Sequence, residues 1–489
     1  MTDATLSTAA EENGAALKTP TLLWILIMLA LFPTLALLGL VMRMTQSNMV
    51  VLAPEYFYAV MTLHGVGMVG LWYVAGMAGV SYILTRYVRI TPWVNKVAMG
   101  FTVTGVAMLI VCTLIGKYGP GWYFLYPLSI MSADVWADWA TATFLIAVGI
   151  LGVGWTLWSL DLLRAIASRY TLPRALCWHM LRGKTEPDVP PVILISTVSV
   201  IGALTGLVAA VILLALYAFE YFSGGTKNDA LVMKNLVFLF GHLLVNITLY
   251  YGVAMVYELI PAYCGRPWKN SRYIAIAWNC VLVLVLLAYF HHLYMDFVQL
   301  RWLQVVGQIT SYMSSIPAAV MSIFGTLAIV FRSRMQWGLS SLFLFLGVLG
   351  WAVGGIGAVV DSTIAVNVLF HNTLWVPAHF HTYFLMGCVL MILGGAYHIS
   401  LHLSSVPESR KTTMLIVTLM CIGGYGFVMM FYLGGAHSVP RRFATYPEDF
   451  PAGVSYASLA TMFVAVFLAG LALYTWETGR RCVKALAAK

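Results

Sequence analysis

Apolar stretches of about twenty residues or more recur along the chain with short polar breaks between them, at 21–43, 56–85, 97–116, 140–163, 191–219, 235–262, 273–295, 305–331, 337–360, 370–402, 412–436 and 453–476. At roughly 1.5 Å of rise per residue, each is long enough to cross a hydrocarbon core of about 30 Å as a helix. Twelve such runs predict an all-α, polytopic membrane protein with twelve transmembrane helices. The longest polar break, about residues 165–190, ends in a proline pair just before the fifth run. No internal repeat or soluble insert interrupts the pattern. The chain therefore reads as one transmembrane domain over 1–489 with a polar tail at 1–20.

Composition agrees: 61% of residues are hydrophobic, 9% are charged, and the mean hydropathy is +0.87. The opening MTDATLSTAAEENGAALK has no basic start followed by an apolar stretch, so no cleavable signal is expected and the first run should be retained. A net charge of +9 could suggest an anionic partner, but its distribution explains it. Twenty of the 27 Lys and Arg fall in one set of alternate loops and in the termini; Arg43, Lys117, Lys227, Lys234, Arg301, Arg441 and Arg442 fall on the other side. Basic residues favour the cytoplasmic face, which predicts that both termini lie inside and gives no reason to invoke nucleic acid. The seven cysteines include no C-x-x-C pair, so neither a disulfide framework nor a thiolate metal site is expected.

The histidines change the picture. His64, His242, the pair His291 and His292, and the pair His379 and His381 come from four runs, and helical rise places all six in one layer in the outer third of the membrane. A single membrane histidine is usually an interhelical hydrogen-bonding contact. Six at one depth are better explained as ligands, because imidazole binds copper, iron or zinc without adding charge to a low-dielectric site. Residues at i and i+2 on a helix point about 200° apart, so His379 and His381 must serve separate centres on opposite sides of their helix. His291 and His292 diverge by about 100° and can share one ion if the helix is distorted or ends there. The spacing suggests three centres.

With a histidine in span 2, GH in span 6, HH in span 7, H-x-H in span 10 and PRR between spans 11 and 12, the chain resembles the catalytic subunit of the haem-copper oxidase superfamily over essentially its whole length. HNTLWVPAHFH is most similar to the B-type branch. The resemblance implies subunit I architecture, with His64 and His381 as axial ligands of a low-spin haem and His379 as the single ligand of a high-spin haem. It also implies that His242, His291 and His292 hold a second metal and that Phe380 is the short link between macrocycles. Arg441 and Arg442 would clamp haem propionates, a task that suits the two-pronged guanidinium, and His371 resembles a position near them. Two haems, read as b type, and one copper ion are implied, with iron the alternative to copper.

One departure bears on the substrate. Oxygen-reducing members carry a tyrosine bonded to a ligand histidine. It lies either four residues after the span 6 histidine or, in another branch, six before the span 7 pair. Those positions are Asn246 and Val285 here. In the family scheme that tyrosine supplies one of four electrons for O–O cleavage, whereas reduction of two NO to N₂O needs two electrons, which the metals can supply. Asn246 can hydrogen-bond but cannot donate an electron. The resemblance thus favours nitric oxide reduction by a copper-containing centre of His379, His242, His291 and His292 with Asn246 beside it; oxygen reduction is the alternative. Tyr289 and Tyr294, which can share a face with the span 7 histidines, are the tyrosines that could replace the missing one. Val253, Ala318 and Met321 stand where hydroxyl residues of an inner proton channel are expected, although Tyr257 remains and Glu258 lies near the inner boundary. Little or no pumping is therefore expected, with protons entering from outside.

No C-x-x-C-H haem attachment site is present. Electrons are expected from a small membrane-anchored subunit with a cupredoxin-like or cytochrome c domain, fed by a periplasmic donor at a bacterial inner membrane. Lipid and a small gas complete the expected partners. A twelve-helix transporter would fit the span count but not the histidine layer. The two readings separate on colour: the purified protein should show strong Soret absorption and, on haem extraction, about two haems per chain, whereas a transporter would be colourless.

Overall fold

The computed structural model describes residues 3–183 and 188–488; Lys184 and Lys489, used above in the charge distribution, lie outside them. Among the described residues are twelve helices long and apolar enough to cross a membrane, and we number them α1 to α12 in chain order. They are α1 Asp3–Gln46, α2 Pro54–Leu84, α3 Pro92–Ile115, α4 Asp138–Tyr170, α5 Pro191–Ser223 and α6 Ala230–Cys264, then α7 Arg272–Leu293, α8 Arg301–Val330, α9 Leu339–Asp361, α10 Trp375–Leu403, α11 Arg410–Ala436 and α12 Pro451–Ala487. The expected number and order of spans hold.

The helices start where sequence chemistry allows. Proline stands in the first turn of α2, α3, α5 and α12, where its missing N–H costs nothing. The side chains of Asp229, Ser271 and Ser409 accept backbone N–H groups at the starts of α6, α7 and α11. Gly224 and Gly265 close α5 and α6 in the left-handed conformation.

Hydropathy misjudged three ends. The tail expected over residues 1–20 is helical from Asp3 and continuous with α1; Asn13 donates to the Val88 carbonyl (3.1 Å) and Leu17 is buried. At the other end α12 continues to Ala487, eleven residues past the expected stop at 476. Its last turns are held by Glu477, which pairs with Arg480 (2.8 Å) and with the fully buried Arg481 (2.5 Å); Arg481 also lies over Tyr397. In α4, the pair Asp161–Arg164 (2.7 Å) and the contacts of Asp161 with Thr91 carry the helix on to Tyr170.

Burial sorts the bundle. In the most apolar stretch of α10, 83% of residues are buried, against 24% in α8, so α10 is central and α8 peripheral. Packing of α9 on α10 is made possible by glycine. Gly347, Gly350, Gly354 and Gly357 form one face of α9; a Cβ on Gly350 would lie 2.0 Å from the Met386 carbonyl oxygen, and one on Gly354 would lie 2.4 Å from the Tyr383 Cα. Small residues spaced this way let membrane helices approach backbone to backbone. Overpacking of a tight contact costs about 1–3 kcal/mol, and here the obstructing atoms are backbone. Gly354→Ala should therefore separate α9 from α10. The expected outcome is a lower midpoint of thermal unfolding and loss of haem absorption, read together on the purified protein.

Candidate haem and metal centre

Three histidines are fixed by backbone. The His64 Nδ1 meets the Leu35 carbonyl of α1 (2.8 Å), the His379 Nδ1 meets the Gly354 carbonyl of α9 (3.1 Å), and the His381 Nδ1 meets the Pro377 carbonyl (2.7 Å). A carbonyl can only accept, so each ring must carry its proton on Nδ1. Each Nε2 is left with a free lone pair, as an axial ligand requires. The glycines assist: a Cβ on Gly39 would sit 2.9 Å from the His64 ring, and one on Gly357 would sit 3.2 Å from the His379 Nδ1. His379 and His381 diverge as their spacing demands. His379 is set against α9, and the His381 ring meets Phe427 and Phe431 of α11 (5.2 and 5.7 Å). Phe380 lies between them, stacked on Phe384 (5.2 Å).

His242, His291 and His292 come together on the other side. Their nearest ring nitrogens all lie within 4.8 Å of one another, and the ring centroids are 5.2, 5.6 and 4.1 Å apart. The expected distortion is present: α7 tightens into a 3-10 turn over Tyr289–Leu293, which carries both histidines. The His291 Nδ1 bonds the Ser311 Oγ (3.0 Å), and His292 stacks on Phe238 (5.0 Å). Asn246, one turn below His242, donates from Nδ2 to the His242 carbonyl (2.8 Å).

One cavity of about 680 Å³ is lined by all six histidines, Asn246, His371, Arg441 and Arg442. The connection between α11 and α12 is tied to the mouth of α10 by a bridge between Thr373 and Pro440 and by the Arg441 N–H on the Asn372 carbonyl (2.9 Å). That tie puts both arginines on the cavity wall. Burial pushes Arg441 down to about 10, which leaves it a cation at neutral pH. Burial, then Arg441, push His371 down to about 4, so its imidazole is neutral there; its Nδ1 bonds Asn367 Oδ1 (3.0 Å).

The cavity fits flat, anionic, metal-bearing groups. Its walls carry the imidazoles of His64, His242, His291, His292, His379 and His381. Arg43 Nη1 and Arg441 Nε are buried in it without hydrogen-bond acceptors, as donors awaiting carboxylates would be. Three residues of this wall were not singled out from sequence. Arg43, in the last turn of α1, interacts with Tyr446 and lies over the Phe431 ring (4.8 Å). Asp361 ends α9 with a buried Oδ1, and Tyr383, four residues after His379, shares its face. The spacing of Tyr383 was a legible signal; the other two depend on tertiary packing.

Two tyrosines named from sequence are placed elsewhere. Tyr289 donates to Asn235 Oδ1 (3.1 Å) and Tyr294 to the Ser362 carbonyl (3.0 Å), and neither lines the cavity. Glu258 is engaged by Arg86 (3.3 Å) and Tyr87 (2.9 Å). Tyr257 does meet a hydroxyl on α8, that of Ser322 (3.2 Å), one residue past the expected position.

The family described as cytochrome c and quinol oxidase polypeptide I matches residues 19–472. The chain belongs to this family, the haem-copper oxidase subunit I family. Its members are membrane oxidoreductases that bind haems and copper and work with other subunits and electron donors. Cytochrome c oxidase subunit 1 of Synechocystis sp. is 25% identical over 412 residues, 81% of this chain and 71% of that one. The same subunit of Thermostichus vulcanus is 23% identical over 88% of this chain and 78% of its own. Heme-copper oxidase subunit I+III of Aeropyrum pernix is 25% identical over 86% of this chain and 51% of its own. A solved heme-copper terminal oxidase dimer superposes with a TM-score of 0.77 at 19% identity, over 96% of this chain and 84% of that one, which supports the fold. The transporter reading is set aside.

Because the two sets of histidines face different parts of the cavity, their losses should separate. His64→Ala should remove the low-spin haem signal from the absorption spectrum. His242→Ala should keep both haems and lose only non-haem metal, measured by elemental analysis against haem content.

Proposed function

We propose that this chain is the catalytic subunit of a membrane-bound nitric oxide reductase that converts two NO to N₂O and water: 2 NO + 2 e⁻ + 2 H⁺ → N₂O + H₂O. The reading is carried by Asn246. An amide stands four residues after His242, and it offers hydrogen bonds but no electron. A bound pair of haems and a neighbouring copper ion would supply the redox chemistry. Of the chain's own residues, His64 and His381 would hold the low-spin haem, His379 the high-spin haem, and His242, His291 and His292 the copper. Arg441, Arg442 and His371 would anchor the propionates. Three neutral imidazoles without a carboxylate suit copper at least as well as iron. The haems are read as b type.

Reduction of dioxygen is the second reading. The names borne by the relatives, cytochrome c oxidase in both cyanobacterial matches, favour it over the first. Those relatives are 23–25% identical, and the choice of gas depends on a few side chains at the centre. There the residue at position 246 weighs the other way.

Electron entry is assigned to a small anchored subunit with a cupredoxin-like or cytochrome c domain and a periplasmic donor, at a bacterial inner membrane with both termini cytoplasmic. Lipid would cover the apolar outer face of α8, where Ile309, Met313, Ile316, Val320 and Phe324 are exposed. Protons are assigned to the outer side, without pumping, because the hydroxyl pair of Tyr257 and Ser322 is the part of an inner channel that remains.

Turnover of the purified complex with each gas separates the readings. Rapid N₂O formation from NO with slow O₂ uptake is expected. Fast O₂ reduction to water with little N₂O would establish the second reading. Elemental analysis should give one copper beyond the haem irons; a third iron in its place would replace copper by non-haem iron.

A further inference from the structure

The part of the cavity beside His64 and His381 has a charged end and an apolar end. Arg43 stands one turn of α1 beyond Gly39, where an added Cβ would lie 2.9 Å from the His64 ring. The Arg442 carbonyl accepts from the hydroxyl of Tyr58 (3.2 Å), which precedes His64 on α2. In the opposite direction the cavity is lined by Phe32, Trp72, Val389 and Phe467. Trp72 follows His64, and Val389 follows His381, by about 12 Å of helical rise; Phe32 precedes Gly39 by about 10 Å.

These residues form a floor. The Phe32 ring meets Trp72 edge to face at 4.7 Å and Phe467 at 6.2 Å, arrangements that aromatic rings favour. Behind them Met28, Met77, Leu393 and Leu471 are buried in the same core cluster, and none of the four lines the cavity. The seams beside the floor are tight as well. A Cβ on Gly67 would lie 2.9 Å from the Leu35 side chain, between α2 and α1, and one on Gly423 would lie 2.4 Å from the Phe467 backbone N, between α11 and α12.

We infer that Phe32, Trp72 and Phe467 determine which haem the low-spin site accepts: they admit a macrocycle with short substituents on the edge away from its carboxylates and shut out one with an isoprenoid tail there. Protohaem (haem b) carries two vinyl groups on that edge. A haem with a hydroxyethylfarnesyl chain in place of one vinyl needs a channel longer than the porphyrin is wide. Here that channel would have to cross three rings backed by packed core, and such a wall discriminates by clash. The inference rests on the reading of His64 and His381 as axial ligands with the haem carboxylates at the arginine end. It gives the b-type reading a structural cause at this haem.

The test uses the complete holoenzyme, made in cells that synthesise both protohaem and its farnesylated derivative. Extracted haems are identified by chromatography and mass. His64→Ala lacks the low-spin haem, so the difference between it and the parent shows which haem that site held, and protohaem is expected. Phe32→Ala and Trp72→Ala each remove a ring from the floor without touching a ligand. Compared with its own His64→Ala derivative, each should hold at least about tenfold more farnesylated haem at the low-spin site than the parent does. Phe324→Ala removes a phenyl ring from the exposed face of α8 and should match the parent.

A farnesylated low-spin haem in the parent would overturn the inference, and this measurement carries the test if both floor variants lose their haem. Protohaem alone at the low-spin site of both floor variants, or an equal rise in Phe324→Ala, would overturn it too. Equal haem content in the parent and in His64→Ala would instead overturn the ligand assignment beneath it.

Discussion

Much of this molecule depends on one kind of contact, an imidazole N–H given to a backbone carbonyl. In the apolar interior an imidazole with both nitrogens unpaired is costly, and a proton free to move between them would leave the ligand atom undefined. The carbonyls of Leu35, Gly354 and Pro377 remove that freedom for His64, His379 and His381. They belong to helices, so the precision of the centre is that of the scaffold. Loops contribute mainly the arginines.

The glycine face of α9 follows from the same requirement. To put the Gly354 carbonyl within reach of the His379 ring, the backbones of α9 and α10 must approach more closely than side chains permit. The stripe Gly347, Gly350, Gly354 and Gly357 therefore sets the position of the His379 ring as much as the packing. The tightening of α7 at Tyr289–Leu293 has a similar local purpose, since it lets consecutive histidines turn to one partner.

The number and order of spans, the gathering of the six histidines around one cavity and the division of His379 from His381 were legible because each follows from a period: twenty apolar residues per crossing, 1.5 Å per residue, 100° per step. What was not legible depends on partners distant in sequence. Hydropathy ended α12 at the charges of Glu477, Arg480 and Arg481, yet Glu477 pairs with both arginines and the helix continues through them. The start of α1 and the end of α4 were missed because the contacts of Asn13 with Val88 and of Asp161 with Thr91 join residues far apart in sequence. Tyr289 and Tyr294 share a helical face with the histidines by spacing, but Asn235 and Ser362 hold their hydroxyls elsewhere. Arg43 and Asp361 join the cavity through the tertiary packing of the helices that line it.

The donor set of the cluster is three uncharged rings, with neither thiolate nor carboxylate among them. A dication seated there would keep its full double charge in a medium that solvates charge poorly, whereas a monocation would incur a much smaller penalty. The wall thus biases an occupying ion toward its reduced form. Ligand neutrality alone would give an ion held there an appetite for electrons, whichever gas is finally consumed.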